Sequence, residues 1–157
     1  MEGPGSMILL LALGFLGTVR GDDTYTLTLT FQRMHCDECK REAEATVKRL
    51  PGFVSVTFAE TSAVVLLAEK SPVPAVGGLP KDMGYRGSHL TIHGTVTMSG
   101  DKATLVAKGS GMTLQLAGDK LAELRKKLGG KNRFQVTGAL AGKSLQLESF
   151  QTAEWKD

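Results

Sequence analysis

Met34-His35-Cys36-Asp37-Glu38-Cys39 contains both cysteines of the chain, with two residues between them. Two thiolates at that spacing can converge on one soft cation such as Cu(I), with Zn(II) as a harder competitor. The same pair could instead exchange between dithiol and disulfide. A purely structural disulfide explains it poorly, because so short a loop removes little entropy from the unfolded chain. Asp37 and Glu38 oppose thiolate formation, yet the same carboxylates attract a cation.

Two elements must position this pair. Thr24–Phe31 alternates polar and apolar residues, as a half-buried strand does, and Lys40–Leu50 is rich in helix formers. The cysteines therefore belong to the loop and first turn between a strand and a helix. A helix N-terminus carries unpaired N–H groups and partial positive charge, which favour thiolate over thiol.

Beyond the helix, Pro51-Gly52 is a stop signal. Phe53–Ala59 and Ala63–Ala68 read as a hairpin joined by Glu60-Thr61-Ser62. Pro72, Pro74, Gly77, Gly78 and Pro80 forbid a long helix over Ser71–Gly84, leaving a short helix or turn around Leu79–Met83. His89–Met98 is strand-like. Ala103–Lys108, Met112–Leu116, Phe134–Leu140 and Ser144–Phe150 are short strands, interrupted by a helix over Asp119–Leu128. Asp119 is its expected N-cap, Gly129-Gly130 ends it, and Leu121, Leu124 and Leu128 share one face. Three strands, a helix and two more strands resemble a small OB-like β-barrel.

Composition narrows the function. With 41% hydrophobic and 22% charged residues in 157, the chain is globular, and a net charge of +3 gives no basic cluster that would attract nucleic acid. Asp22–Gly87 holds 8 Lys and Arg against 9 Asp and Glu, a balance of −1; Ser88–Asp157 holds 10 against 6, or +4. Phe134, Phe150 and Trp155 are too few aromatics for a base-stacking platform. Met7–Val19 is an uncharged apolar run, too short to span a bilayer, followed by Val19-Arg20-Gly21 with small residues where a signal peptidase cuts. Residues 1–21 are thus expected to be a signal peptide, although Met1–Ser6 supplies no basic n-region, and the product to be periplasmic or secreted without a stable membrane span.

The motif residues then point to a family. Met34, the Cys36–Cys39 pair, Val47, Leu50, Gly52, Val54, Val56 and the Ala63–Leu66 strand resemble a heavy-metal-associated domain. That family includes copper chaperones, metal-binding modules of P-type ATPases and a periplasmic mercury-binding protein. The resemblance covers Thr24–Thr91 and implies a ferredoxin-like βαββαβ sandwich with a degraded second helix. The fold class is therefore α+β. Residues 22–91 are expected to form the metal-associated domain and 92–157 the OB-like barrel.

What the resemblance implies for the site is specific. Cys36 and Cys39 are the metal ligands for Cu(I), with Zn(II) or Hg(II) as alternatives, and a metal-transferring protein is the expected partner. Met34 matches a residue that packs inward to anchor the loop. Asp82-Met83-Gly84-Tyr85 matches the segment that brings an aromatic ring near the metal loop, here Tyr85. Arg33 stands where the family has Gly, and His35 where it commonly has Thr. An imidazole there is either an exposed loop residue or an auxiliary ligand that completes a Cys₂His site.

Other candidates have blander readings. His89 and His93 fall on one side of a strand, roughly 13 Å apart, so they cannot share a metal ion. Lys120, Arg125, Lys126, Lys127 and Lys131 read as a solvated basic face, with docking to an acidic partner as the alternative. No Ser-His-Asp set, phosphate-cradling glycine loop or paired-carboxylate motif is present, so the chain is not expected to be an enzyme.

Overall fold

The computed structural model describes residues 23–33, 37–76, 79 and 83–155. Ten elements follow one another: β1 (Thr24–Phe31), α1 (Asp37–Lys48), β2 (Phe53–Phe58), β3 (Ser62–Ala68), β4 (Tyr85–Ser99), β5 (Lys102–Ala107), β6 (Thr113–Ala117), α2 (Leu121–Lys127), β7 (Arg133–Ala141) and β8 (Ser144–Thr152). The class is α+β with strands dominant.

The strands form one eight-stranded sheet in the order β2-β3-β1-β4-β5-β6-β8-β7, and β7 returns to pair with β4. That last pairing closes β4, β5, β6, β8 and β7 into a five-stranded barrel, compatible with the OB-like expectation. Every pairing is antiparallel except β6 with β8. β4 makes the arrangement possible. Its first half, Tyr85–Thr91, pairs with β1, and Gly94–Ser99 pairs with β5, while Ser88–Thr95 pairs with β7 on its other edge. The expected boundary between residues 91 and 92 thus falls inside one 15-residue strand.

Alternation along the strands builds a single core. Tyr25, Leu27, Leu29 and Phe31 of β1 are buried in the same core as Ala43 and Val47 of α1. Leu90, Ile92 and Val96 of β4 continue that layer into the barrel, where they meet Leu105, Leu114, Phe134, Val136 and Leu145, and Leu124 of α2 is likewise fully buried. Where β7 crosses β8, Gly138 sits at a register shift. A Cβ there would collide with the carbonyl oxygen of Gln146, so a close approach of two backbones excludes any side chain.

Several expectations need correction. α1 begins at Asp37, not Lys40, so the two acids occupy its first turn, where the helix dipole favours them. α2 spans Leu121–Lys127, and Lys120, not Asp119, holds the N-cap position, with no side-chain cap hydrogen bond. A tight turn from Gly118 starts this helix instead, through Leu121 N–H to Gly118 O at 3.3 Å. β4 extends past His89–Met98 at both ends, since two different neighbours supply ladder hydrogen bonds there. The expected turn around Leu79–Met83 falls largely outside the described residues. Among those described between β3 and β4, no second helix packs on the sheet, and only Met83 is in a helical turn, of the 3₁₀ type.

Candidate functional site

The strand that precedes the cysteine motif ends against two other segments. Phe31 N–H bonds Thr61 O at 2.8 Å, tying β1 to the β2–β3 turn. Gln32 N–H is shared between Met83 O at 3.0 Å and Gly84 O at 2.9 Å, and Arg33 N–H reaches Met83 O at 3.3 Å. Residues 31–33 are therefore held by two segments, the β2–β3 turn and Met83–Gly84. Met83 is fully buried, and Gly84 adopts φ 64°.

Met34, His35 and Cys36 lie outside the described residues. Cys39 is in the first turn of α1, half-buried and packed against the hydrophobic core. Its thiol is engaged in a disulfide, and the sequence contains one other cysteine. Asp37 and Glu38 are exposed on the same turn. Tyr85 is 39% exposed, and its ring centroid stands 6.3 Å from that of Phe31 at 50°. The Tyr85 ring thus stands against the last residue of β1. Lys40, on the first turn of α1, places its ammonium 5.8 Å from the centre of the Phe58 ring.

The two histidines of β4 each face a different carboxylate. His89 Nε2 is 3.1 Å from Glu148 Oε2 on the exposed side of the barrel, and His93 Nδ1 is 3.9 Å from Glu69 Oε2. Among the described residues, no group of three or more His, Cys, Asp or Glu side chains is placed to hold a metal. Of the basic residues around α2, Lys120 pairs with Glu123 at 3.7 Å and Arg125 donates to Gly100 O at 3.4 Å, while Lys126, Lys127 and Lys131 are exposed.

A cluster that the sequence did not suggest joins the first sheet to the barrel. Glu69, in the turn after β3, has a side chain only 7% exposed, and its Oε1 is 3.1 Å from Lys108 Nζ. Its Oε2 is buried with no hydrogen-bond partner. Lys108 also stands 5.6 Å from the centre of the Trp155 ring, which Arg133 approaches at 4.9 Å and His93 meets edge-on at 5.9 Å. The only sequence trace of this node is an acid directly after an apolar strand, and nothing in the local pattern links position 69 to 93, 108 or 155. A cavity of about 350 Å³ lies beyond it, lined by Lys131, Asn132, Arg133, Thr152, Glu154 and Trp155 among others. Arg133 pairs with Thr95, ten residues along β4 from Tyr85, so this cavity lies toward the other end of that strand from Tyr85.

Residues 1–22 are outside the described part, and no helix among the described residues is long and apolar enough to cross a membrane. Comparison with known proteins gives no match to any family model, curated protein or solved structure.

Proposed function

We propose that this chain is an exported heavy-metal-binding protein, whose reduced Cys36 and Cys39 hold one soft cation, Cu(I) foremost, and transfer or sequester it. One observation carries the reading: Cys39 occupies the first turn of α1, directly after a strand whose end is pinned by Met83 and Gly84. A helix start supplies N–H groups and partial positive charge to stabilise a thiolate. Two thiolates leave Cu(I) coordinatively open, so an incoming partner thiolate can form a three-coordinate intermediate and take the ion without releasing it. Zn(II) and Hg(II) are the competing cargoes, and His35 is the residue that would add a third ligand for Zn(II).

Two features of the fold support the assignment. The first sheet has the order β2-β3-β1-β4 with α1 between β1 and β2, the order of a ferredoxin-like sandwich that lacks its second helix. The barrel order β4-β5-β6-β8-β7, with α2 between its third and fourth strands, favours an OB-like barrel. In this reading the barrel braces the loop through the shared β4 and offers a surface to the metal-transferring partner. Export follows from the apolar N-terminal run of the sequence alone. Neither nucleic acid nor a catalysed reaction enters this function.

A second reading has its own observation. Cys39 is disulfide-bonded, as a thiol–disulfide exchange module requires in its oxidised state. Anaerobic titration of the reduced chain with Cu(I) against a competing chelator separates the two. The metal reading expects one equivalent bound, and the loss of that binding in Cys36→Ser or Cys39→Ser. Absence of binding, together with catalysis of insulin reduction, would establish the redox module instead.

A further inference from the structure

We propose that the free edge of β2 pairs with the same edge of a second copy of this chain, about a two-fold axis beside Val56. β2 has one neighbour, β3, and among the described residues no other strand pairs with it. Ala59 N–H bonds Ser62 O at 2.8 Å where the hairpin turns. Hydrogen-bonded pairs alternate back from there, so Thr57 and Ser55 bond β3 opposite Val64 and Leu66. The N–H and C=O groups of Val56 and Phe58 then point out of the sheet. Such an edge is a template for another strand, and proteins blunt it with charge or proline. Phe53–Phe58 carries neither, and its register shift lies between Phe53 and Ser55, before this stretch. An antiparallel register centred on Val56 sets outward-pointing groups against each other, with Ser55 opposite the partner's Thr57. The half-buried Val56 side chains meet on the core side and the hydroxyls on the other, both favourable cross-strand pairs.

What selects a second copy over any other strand is α1. β1 and β2 both run opposite to β3, so α1, which joins them, runs back against β2. Asp37, Lys40, Glu44 and Lys48 recur at helical spacing and share one flank of α1. That flank overlooks β2, because Lys40 holds its ammonium 5.8 Å from the Phe58 ring centre. Glu44 and Lys48 pair at 3.4 Å there and still expose 39% and 56% of their side chains. The two-fold axis puts both copies of α1 on one face of the joined sheet, antiparallel to each other. The flank reads acid, base, acid, base, and reversal matches every member with its opposite sign. Asp37 comes opposite the partner's Lys48, and Lys40 opposite the partner's Glu44. Such matching steers association and fixes register.

The full chain, kept in reductant so that no disulfide links two copies, is followed by sedimentation velocity from about 2 to 200 μM. The parent is expected to be a dimer at the upper end. Glu44→Lys sets like charges against the partner's Lys40 and should weaken association about tenfold, while Lys40→Glu/Glu44→Lys restores opposite signs and should recover it. Thr57→Lys places a charge on the exposed side of the edge and should weaken association by about tenfold or more. Amide hydrogen exchange of the parent needs no variant: Val56 and Phe58 should exchange roughly tenfold more slowly at about 200 μM than at about 2 μM. A monomeric parent at about 200 μM overturns the proposal, whatever else covers the edge. Unchanged association in Glu44→Lys or in Thr57→Lys, no recovery in the double variant, or concentration-independent exchange at Val56 and Phe58 overturns it as well. None of these outcomes depends on the chemistry of Cys36 and Cys39.

Discussion

Replacing Lys108 by Met should damage the protein more than replacing its partner Glu69 by Gln. Glu69 is 7% exposed, with one oxygen on Lys108 and the other without a hydrogen-bond partner. Lys108→Met leaves a charged carboxylate in the junction, with His93 Nδ1 3.9 Å from its Oε2. Breaking a fully buried pair in this way costs about 3–5 kcal/mol. The Lys108 side chain is 22% exposed, so water reaches the site in part, and the lower end, about 3 kcal/mol, is expected. Glu69→Gln removes the charge itself and leaves an ammonium that can still be hydrated, for a loss of about 1.5 kcal/mol. The double variant Lys108→Met/Glu69→Leu should be more stable than Lys108→Met alone, because no buried charge remains. Urea unfolding followed by Trp155 fluorescence measures all three, read as shifts in midpoint at constant slope. A Glu69→Gln variant as unstable as Lys108→Met, or a Lys108→Met cost under about 1 kcal/mol, would refute the claim that the Glu69 carboxylate depends on Lys108 for its charge balance.

Other outcomes follow from the same coordinates. Tyr25 donates to Pro72 O at 3.1 Å, and burial raises its pKa from 10.0 to about 12. The folded state then keeps a proton that the unfolded chain has lost. Stability is whole below pH 10 and falls between pH 10 and 12 by about 3 kcal/mol, a decline that Tyr25→Phe should lack in denaturant titrations at pH 8 and pH 11. Leu124→Ala empties a fully buried position under α2 and should cost about 2–4 kcal/mol by the same urea assay. Gly138→Ala forces β7 away from Gln146 and should either prevent folding or cost about 3 kcal/mol, visible as loss of the far-ultraviolet β signal or a lowered Tm.

Much of the chain was legible in local pattern. The alternation of Thr24–Phe31 matches β1 residue for residue, the 53–68 hairpin formed as read, and Leu121, Leu124 and Leu128 all turned toward the core. Period-2 and helical patterns record which face is buried, and those patterns survive in a single sequence. Helix starts were less legible. The helix-former run is read from Lys40, with the cysteines in the loop and first turn before it, whereas α1 begins at Asp37; Asp119 is read as a cap, where the Gly118 turn starts α2 instead.

The sequence by itself determined the cysteine pair, its place between a strand and a helix, and the strand-and-helix order of the barrel. These depend on residue type and short-range spacing. Tertiary structure alone decided that β4 pairs with β1 as well as within the barrel, that the barrel closes through β7, and that Glu69 meets Lys108 and His93 near Trp155. The pairings of β4 with β1 and β7 and the contacts of Glu69 and Lys108 join residues from 24 to 65 positions apart, and such contacts leave no periodic mark on the chain they connect. The bonds from Gln32 to Met83 and Gly84 are of the same kind: the sequence names the glycine, but only the fold brings Gln32 against it.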